Sequence, residues 1–84
     1  MKYTVKAGYG TLEDGHAFYG QDSRIIKEEV SKSKAWELIN EIEENLKSEY
    51  ETVTPKESNT DLDREYICEQ DGETYLEYAI AEEL

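Results

Sequence analysis

Three kinds of side chain in this sequence could do chemistry: one histidine, His16, one cysteine, Cys68, and a large set of carboxylates. A Cys–His nucleophile pair needs the two side chains in hydrogen-bond contact. These two lie on unrelated segments, and Cys68 patterns with apolar residues, where cysteine serves as a small hydrophobe. Gly8-Tyr9-Gly10 lacks the later glycine, the lysine and the following helix of a phosphate-binding loop. Asp61-Leu62-Asp63-Arg64-Glu65 alternates carboxylates as a calcium loop begins. The sixth and twelfth positions of that loop should be Gly and Glu; here they are Tyr66 and Gly72. Paired carboxylates can cleave a glycoside when a cleft holds the sugar between them, and a small domain of strands and one helix offers little cleft. The expectation is no catalytic residue, no metal site and no cofactor. What remains for the carboxylates is to act by charge.

Their distribution makes that role specific. Residues 1–36 carry six Lys/Arg and five Asp/Glu, a net of +1, whereas residues 37–84 carry three and sixteen, a net of −13. Like charges on one small domain oppose compaction. A net magnitude of roughly 2–8 already keeps such a domain soluble. The segregated acid therefore points to a basic partner. It also excludes direct nucleic-acid binding as the main activity, because phosphates must be met by Lys and Arg.

The 84 residues read as a single acidic domain, residues 1–84, with nine aromatic residues to bury and one proline. A lone cysteine allows no internal disulfide. The first residues have no apolar run of the signal-peptide kind, and no segment approaches the ~20 apolar residues of a membrane span. These features predict a soluble cytoplasmic protein that contacts no membrane.

The elements that must position the carboxylates are legible as periodicities. Lys2 to Ala7 alternates, with Tyr3, Val5 and Ala7 on one side. Gly8, Gly10, Asp14-Gly15 and Gly20 read as turns around a short aromatic strand, His16 to Tyr19. Arg24 to Val30 is another strand. From about Lys32 or Lys34 to about Tyr50, the residues Ala35, Leu38, Ile39, Ile42, Leu46 and Tyr50 recur at helical spacing, capped by Ser31 or Ser33. Glu37, Glu41 and Glu44 fall on the opposite side of that helix. Thr52 to Asp63 reads as a polar connection, and Arg64 to Gln70 with Glu73 to Ala81 as a hairpin. The fold class predicted is α+β: an antiparallel sheet of about four to five strands in β(2–3)-α-β-β order, with one amphipathic helix packed on one face. The stripe Leu38, Ile39, Ile42 and Leu46 should face Val5, Leu76, Tyr78 and Ile80.

The hairpin admits two registers. A two-residue Asp71-Gly72 turn is the default for this dipeptide. The even positions Tyr66, Cys68, Leu76, Tyr78 and Ile80 share one face only if the loop holds three residues, with Gly72 as a bulge. That parity favours the three-residue loop. It would gather Glu65, Glu69, Glu73 and Glu77 around Tyr75, and set Glu65 against Glu77 and Glu69 against Glu73. Such like-charge pairs destabilise a sheet unless something neutralises them. The predicted partner-binding residues are accordingly Glu65, Glu69, Glu73, Tyr75, Glu77, Asp61 and Asp63. Glu37, Glu41 and Glu44 form a secondary acidic face.

Carboxylates four apart on a helix lie ~6 Å apart along its axis, and alternate strand positions ~6.7 Å apart. Such a field approaches the charge density of a nucleic-acid backbone, with its phosphate per ~3.4 Å on each strand. In size, charge and tyrosine content the chain resembles small mobile-element proteins, phage anti-CRISPR and antirestriction proteins among them, that block nucleic-acid enzymes. That resemblance implies a non-enzymatic inhibitor lying in a basic groove of such an enzyme. An immunity protein that neutralises a basic toxin nuclease, or an acidic adaptor domain, would use the same physics.

Overall fold

The computed structural model describes residues 1–13, 16–19, 23–57 and 59–84. In chain order the elements are β1 (Tyr3–Glu13), β2 (His16–Tyr19), β3 (Arg24–Val30), α1 (Lys32–Glu49), β4 (Thr52–Pro55), β5 (Asp63–Gln70) and β6 (Glu73–Glu83). The strands form one antiparallel sheet in the order β2-β1-β6-β5-β4, and β3 also pairs with β1. The helix crosses one face of it. This is the expected α+β architecture, with one strand more than the sequence suggested on the C-terminal side of the helix.

The extra strand is β4, which takes up the start of the stretch expected to be a polar connection. It has four residues, ends on Pro55 and lies at the sheet edge beside β5. An edge tolerates a proline that donates no hydrogen bond. Gly8 and Gly10 are not turns either; both lie inside β1, with Gly8 opposite Tyr78 and Gly10 opposite Leu76 on β6. A Cβ added to Gly8 would come within 2.6–2.7 Å of the Tyr78 ring and hydroxyl. Glycine here therefore makes room for an aromatic ring. The turns expected at Asp14-Gly15 and Gly20 lie outside the described residues.

Ser31 caps α1 as expected, its hydroxyl accepting from the Lys34 amide at 3.2 Å. At the other end Tyr50 leaves the helix with extended backbone, while its N–H still donates to the Leu46 carbonyl. Ala35, Ile39 and Leu46 are the buried residues of the apolar stripe. Ile39 and Ala35 pack with Val5, Val30 and Ala79, and Leu46 packs with Tyr66 and Cys68; Ile42 touches both groups.

The helix thus meets Val5 as expected, but Ala79, Tyr66 and Cys68 in place of Leu76, Tyr78 and Ile80. The hairpin register is the reason. Gln70 pairs with Glu73, Cys68 with Tyr75, Tyr66 with Glu77 and Glu65 with Tyr78, around a two-residue Asp71-Gly72 turn. Both turn residues have positive φ, 51° and 79°, as a type I′ turn requires. Even residues of β5 consequently share the helix side with odd residues of β6. The three-residue loop is excluded, and so are its direct glutamate pairs across the strands.

Candidate protein-binding surface

With that register the predicted partner-binding residues do not form one face. Glu73, Tyr75 and Glu77 lie on the helix side of the sheet, whereas Asp63, Glu65 and Glu69 alternate onto the other side. Asp61 precedes β5, in the stretch that passes beside Trp36 near the start of the helix. The surface around Tyr75 is therefore built differently from the sequence-based expectation, though it keeps four of the seven residues at one end of the molecule.

That end is assembled by three elements: the C-terminus of α1, the start of β4 and the β5–β6 turn. Backbone bonds hold them together, since the Glu51 N–H reaches the Glu69 carbonyl at 3.0 Å and the Gln70 side chain at 2.9 Å. The Glu51 carboxylate in turn accepts from the Asp71 N–H at 3.1 Å. Two tyrosines stand in the middle. The rings of Tyr50 and Tyr75 meet with centroids 5.8 Å apart and planes inclined at 44°, a favourable aromatic arrangement. The Tyr50 hydroxyl donates to Glu77 and the Tyr75 hydroxyl to Glu73, at 2.9 and 2.6 Å. These bonds hold the tyrosine protons and push both hydroxyl pKa values up: burial is the larger cause at Tyr50, the Glu73 hydrogen bond at Tyr75.

Glu49, Glu51, Glu69, Asp71 and Glu73 are all exposed here. Among the described residues, no lysine or arginine pairs with any of the five; the ion pairs lie elsewhere, at Lys6–Glu82, Lys34–Glu37, Lys47–Glu43 and Glu44, and Lys56–Glu65. The partial negative charge of the helix C-terminus points to the same end. Glu77 is the exception to the exposure. It sits half-buried at a small cavity of about 100 Å³ that also touches Arg24, Asn45 and Glu49. Burial raises its pKa above the ordinary carboxylate value, with Glu49 adding to the rise and the Tyr50 bond and Arg24 opposing it.

The other predicted residues occupy two further surfaces. On the helix-free face, Asp63 and Glu65 flank a groove over Tyr78 and Ile80, closed on the far side by Glu82. Lys56 and Lys6 already answer Glu65 and Glu82, each at 2.9 Å. Glu37, Glu41 and Glu44 run along the exterior of α1 beside Trp36, as the helical spacing required. Cys68 is fully buried and its thiol pKa is pushed up to about 11 by that burial, which removes it as a nucleophile near neutral pH. No helix among the described residues is long and apolar enough to cross a membrane.

Sequence reasoning passed over Glu49, Glu51 and Asp71 as members of the tyrosine-centred end. The signal that would have found them is the Asp71-Gly72 dipeptide taken at face value: a two-residue turn puts Tyr75 and Glu77 on the Cys68 side, against the end of the helix. No known protein family, curated protein or solved structure matches this chain.

Proposed function

We propose that the chain is a non-enzymatic, cytoplasmic binding protein that imitates the charge of a nucleic-acid backbone and occupies a basic groove of a nucleic-acid enzyme, in the manner of anti-CRISPR and antirestriction inhibitors. The observation that carries the proposal is the Tyr50–Tyr75 pair at an end of the molecule that carries five exposed carboxylates, Glu69 among them on the opposite side of the sheet, with which no cation of the described residues pairs. Aromatic anchors supply buried area in an interface, and surrounding charge steers association and excludes wrong partners. A groove lined by Lys and Arg would neutralise this end of the molecule. A neutral or acidic surface would leave its carboxylates desolvated without a partner.

The experiment is a pull-down from host lysate at low salt, eluted with a salt gradient, using the chain and its Glu69→Lys/Glu73→Lys variant. The expected result is that a nucleic-acid enzyme is retained by the chain, released by salt and not retained by the variant, while far-UV circular dichroism shows the variant folded. Equal retention by both overturns the choice of surface. Retention of no nucleic-acid enzyme overturns the function.

A further inference from the structure

Tyr66 of β5 is fully buried beneath α1, where it packs with Leu46. Its hydroxyl meets no hydrogen-bond partner among the described residues. A hydroxyl left in that state has lost its bonds to water and gained nothing in return. Two charged groups stand beside it. Burial pushes the hydroxyl pKa up to about 12; the Arg64 guanidinium opposes that rise and the Glu43 carboxylate adds to it. Helical spacing brings Glu43 there. Trp36, Asn40, Glu43 and Lys47 recur along α1 as the flank next to its apolar stripe. Arg64 already bonds this flank, its Nη1 donating to Asn40 Oδ1 at 2.8 Å, while its Nε reaches the Thr60 carbonyl at 3.3 Å. Glu43 also differs from the acids around it. Its side chain is 19% exposed, against 62% for Glu37 and 72% for Glu44, and its ion pair with Lys47 is long, at 3.9 Å.

We infer that Glu43 is the acceptor of the Tyr66 hydroxyl, in a buried latch where Arg64 donates to the Tyr66 oxygen and Tyr66 donates to the Glu43 carboxylate, fastening the middle of α1 to β5. The roles fit throughout: a guanidinium only donates, a carboxylate only accepts, and a phenol does both. Closure needs a small inward turn of the Glu43 side chain, away from Lys47. The carboxylate gives up a long surface pair of little worth. It gains a charge-assisted bond in a seam that excludes water, where such bonds are strong. Glu43 is then withdrawn from the acidic exterior and acts as a fastener of the fold. Tyr50 packs against the same group as Leu46, Tyr66 and Cys68, so the latch lies just before the residues that seat it. The latch needs no partner and stands or falls apart from the proposed function.

Tyr66→Phe removes the hydroxyl and keeps the ring. The full chain and this variant are unfolded in urea, each also in a Glu43→Ala background, and the Glu43 side-chain carboxyl is followed by carbon NMR. The expected result is a folding equilibrium constant roughly tenfold or more lower for Tyr66→Phe, the worth of one hydrogen bond to a charged group. The Glu43 carboxyl resonance should shift, with those of Glu37 and Glu41 unmoved. In the Glu43→Ala background the same change should cost distinctly less, because the hydroxyl has already lost its acceptor. This coupling should persist in about 1 M salt, which screens surface pairs. A Tyr66→Phe variant as stable as the wild type, or more so, shows a hydroxyl without a bond and overturns the latch. An equal loss in both backgrounds also overturns it, placing the hydroxyl on Arg64 alone or on an ordered water. An unmoved Glu43 resonance, or coupling abolished by salt, does the same.

Discussion

The Tyr50 hydroxyl donates to the Glu77 carboxylate at 2.9 Å and so ties the end of the helix to the central strand of the sheet. The bond satisfies one oxygen of a half-buried carboxylate that also faces Arg24 and Glu49. Glu77 is nevertheless left with a pKa above its ordinary 4.5, chiefly because burial penalises its charge. The folded state therefore binds this proton more tightly than the unfolded one. Keeping Glu77 ionised costs stability at neutral pH, and that cost disappears as pH falls through the folded pKa towards 4.5.

Glu77→Gln keeps an acceptor for Tyr50 and removes the charge. Its urea midpoint should lie above that of the wild type at pH 7, and the gap should close as pH approaches 4.5. A gap that stays constant across this range would show that Glu77 titrates as an ordinary surface carboxylate.

Ile39 is fully buried beneath the sheet, among Val5, Ala35 and Ala79. Ile39→Ala should cost about 2–5 kcal/mol, the lost transfer energy plus the cavity left behind. For a domain of this size that is a large share of the total. Ile42, only partly buried though it bridges both apolar groups, should lose less on the same truncation. Chemical denaturation of the two variants side by side checks the order.

Among the described residues, two outside glycine have left-handed backbone, Glu29 at φ 53° and Asp71 at φ 51°. Glu29 lies where the β1–β3 register shifts, between the pairs Tyr3–Val30 and Val5–Lys27. A non-glycine residue there costs roughly 1–2 kcal/mol, against roughly 0.5–1 kcal/mol of extra chain entropy for glycine. Glu29→Gly should therefore stabilise modestly, by about 0.5–1 kcal/mol. Gly72→Ala, at φ 79° in the type I′ turn, should destabilise. Opposite signs in thermal unfolding are the expected signature.

Gly8→Ala should destabilise by about 1–3 kcal/mol, since the new methyl drives into the Tyr78 ring and forces it off the strand. In a Tyr78→Ala background the same change should be nearly neutral. A double-mutant cycle measures the difference, and additivity of the two changes would show that the ring does not depend on the glycine.

Much of this fold could be read from apolar spacing alone. Val5 and Ala7 alternate into the core, and the Ala35–Leu46 stripe, with its Ser31 cap, marks the helix almost to the residue. What failed had physical causes. β4 is too short for alternation to show, and its Pro55 argues against a strand except at an edge. Gly8 and Gly10 signal turns by composition, yet one serves a ring on the neighbouring strand that only the paired sheet reveals. The hairpin register misled because both faces of β5 and β6 carry apolar residues: Leu76, Tyr78 and Ile80 look like a core face, and they lie opposite the helix. Periodicity cannot choose between two half-apolar faces, whereas the turn dipeptide could. The acidic character of the surface proposed for a partner is plain in the sequence, but its membership follows the register and shifts with it.

The pairing of β1 with β6, from Tyr3–Glu83 to Gly10–Leu76, also sets an order of events during synthesis. β6 lies between β1 and β5 and leaves the ribosome after every other described strand. Until it arrives, both neighbours present an unpaired backbone edge, and the contacts that close the sheet span nearly the whole sequence, which makes folding slow. Waiting edges invite strands from other nascent chains. The carboxylates of β5, Asp63, Glu65 and Glu69, repel such strangers as readily as they would attract a basic groove. The charge that burdens the finished domain thus guards the unfinished one against aggregation.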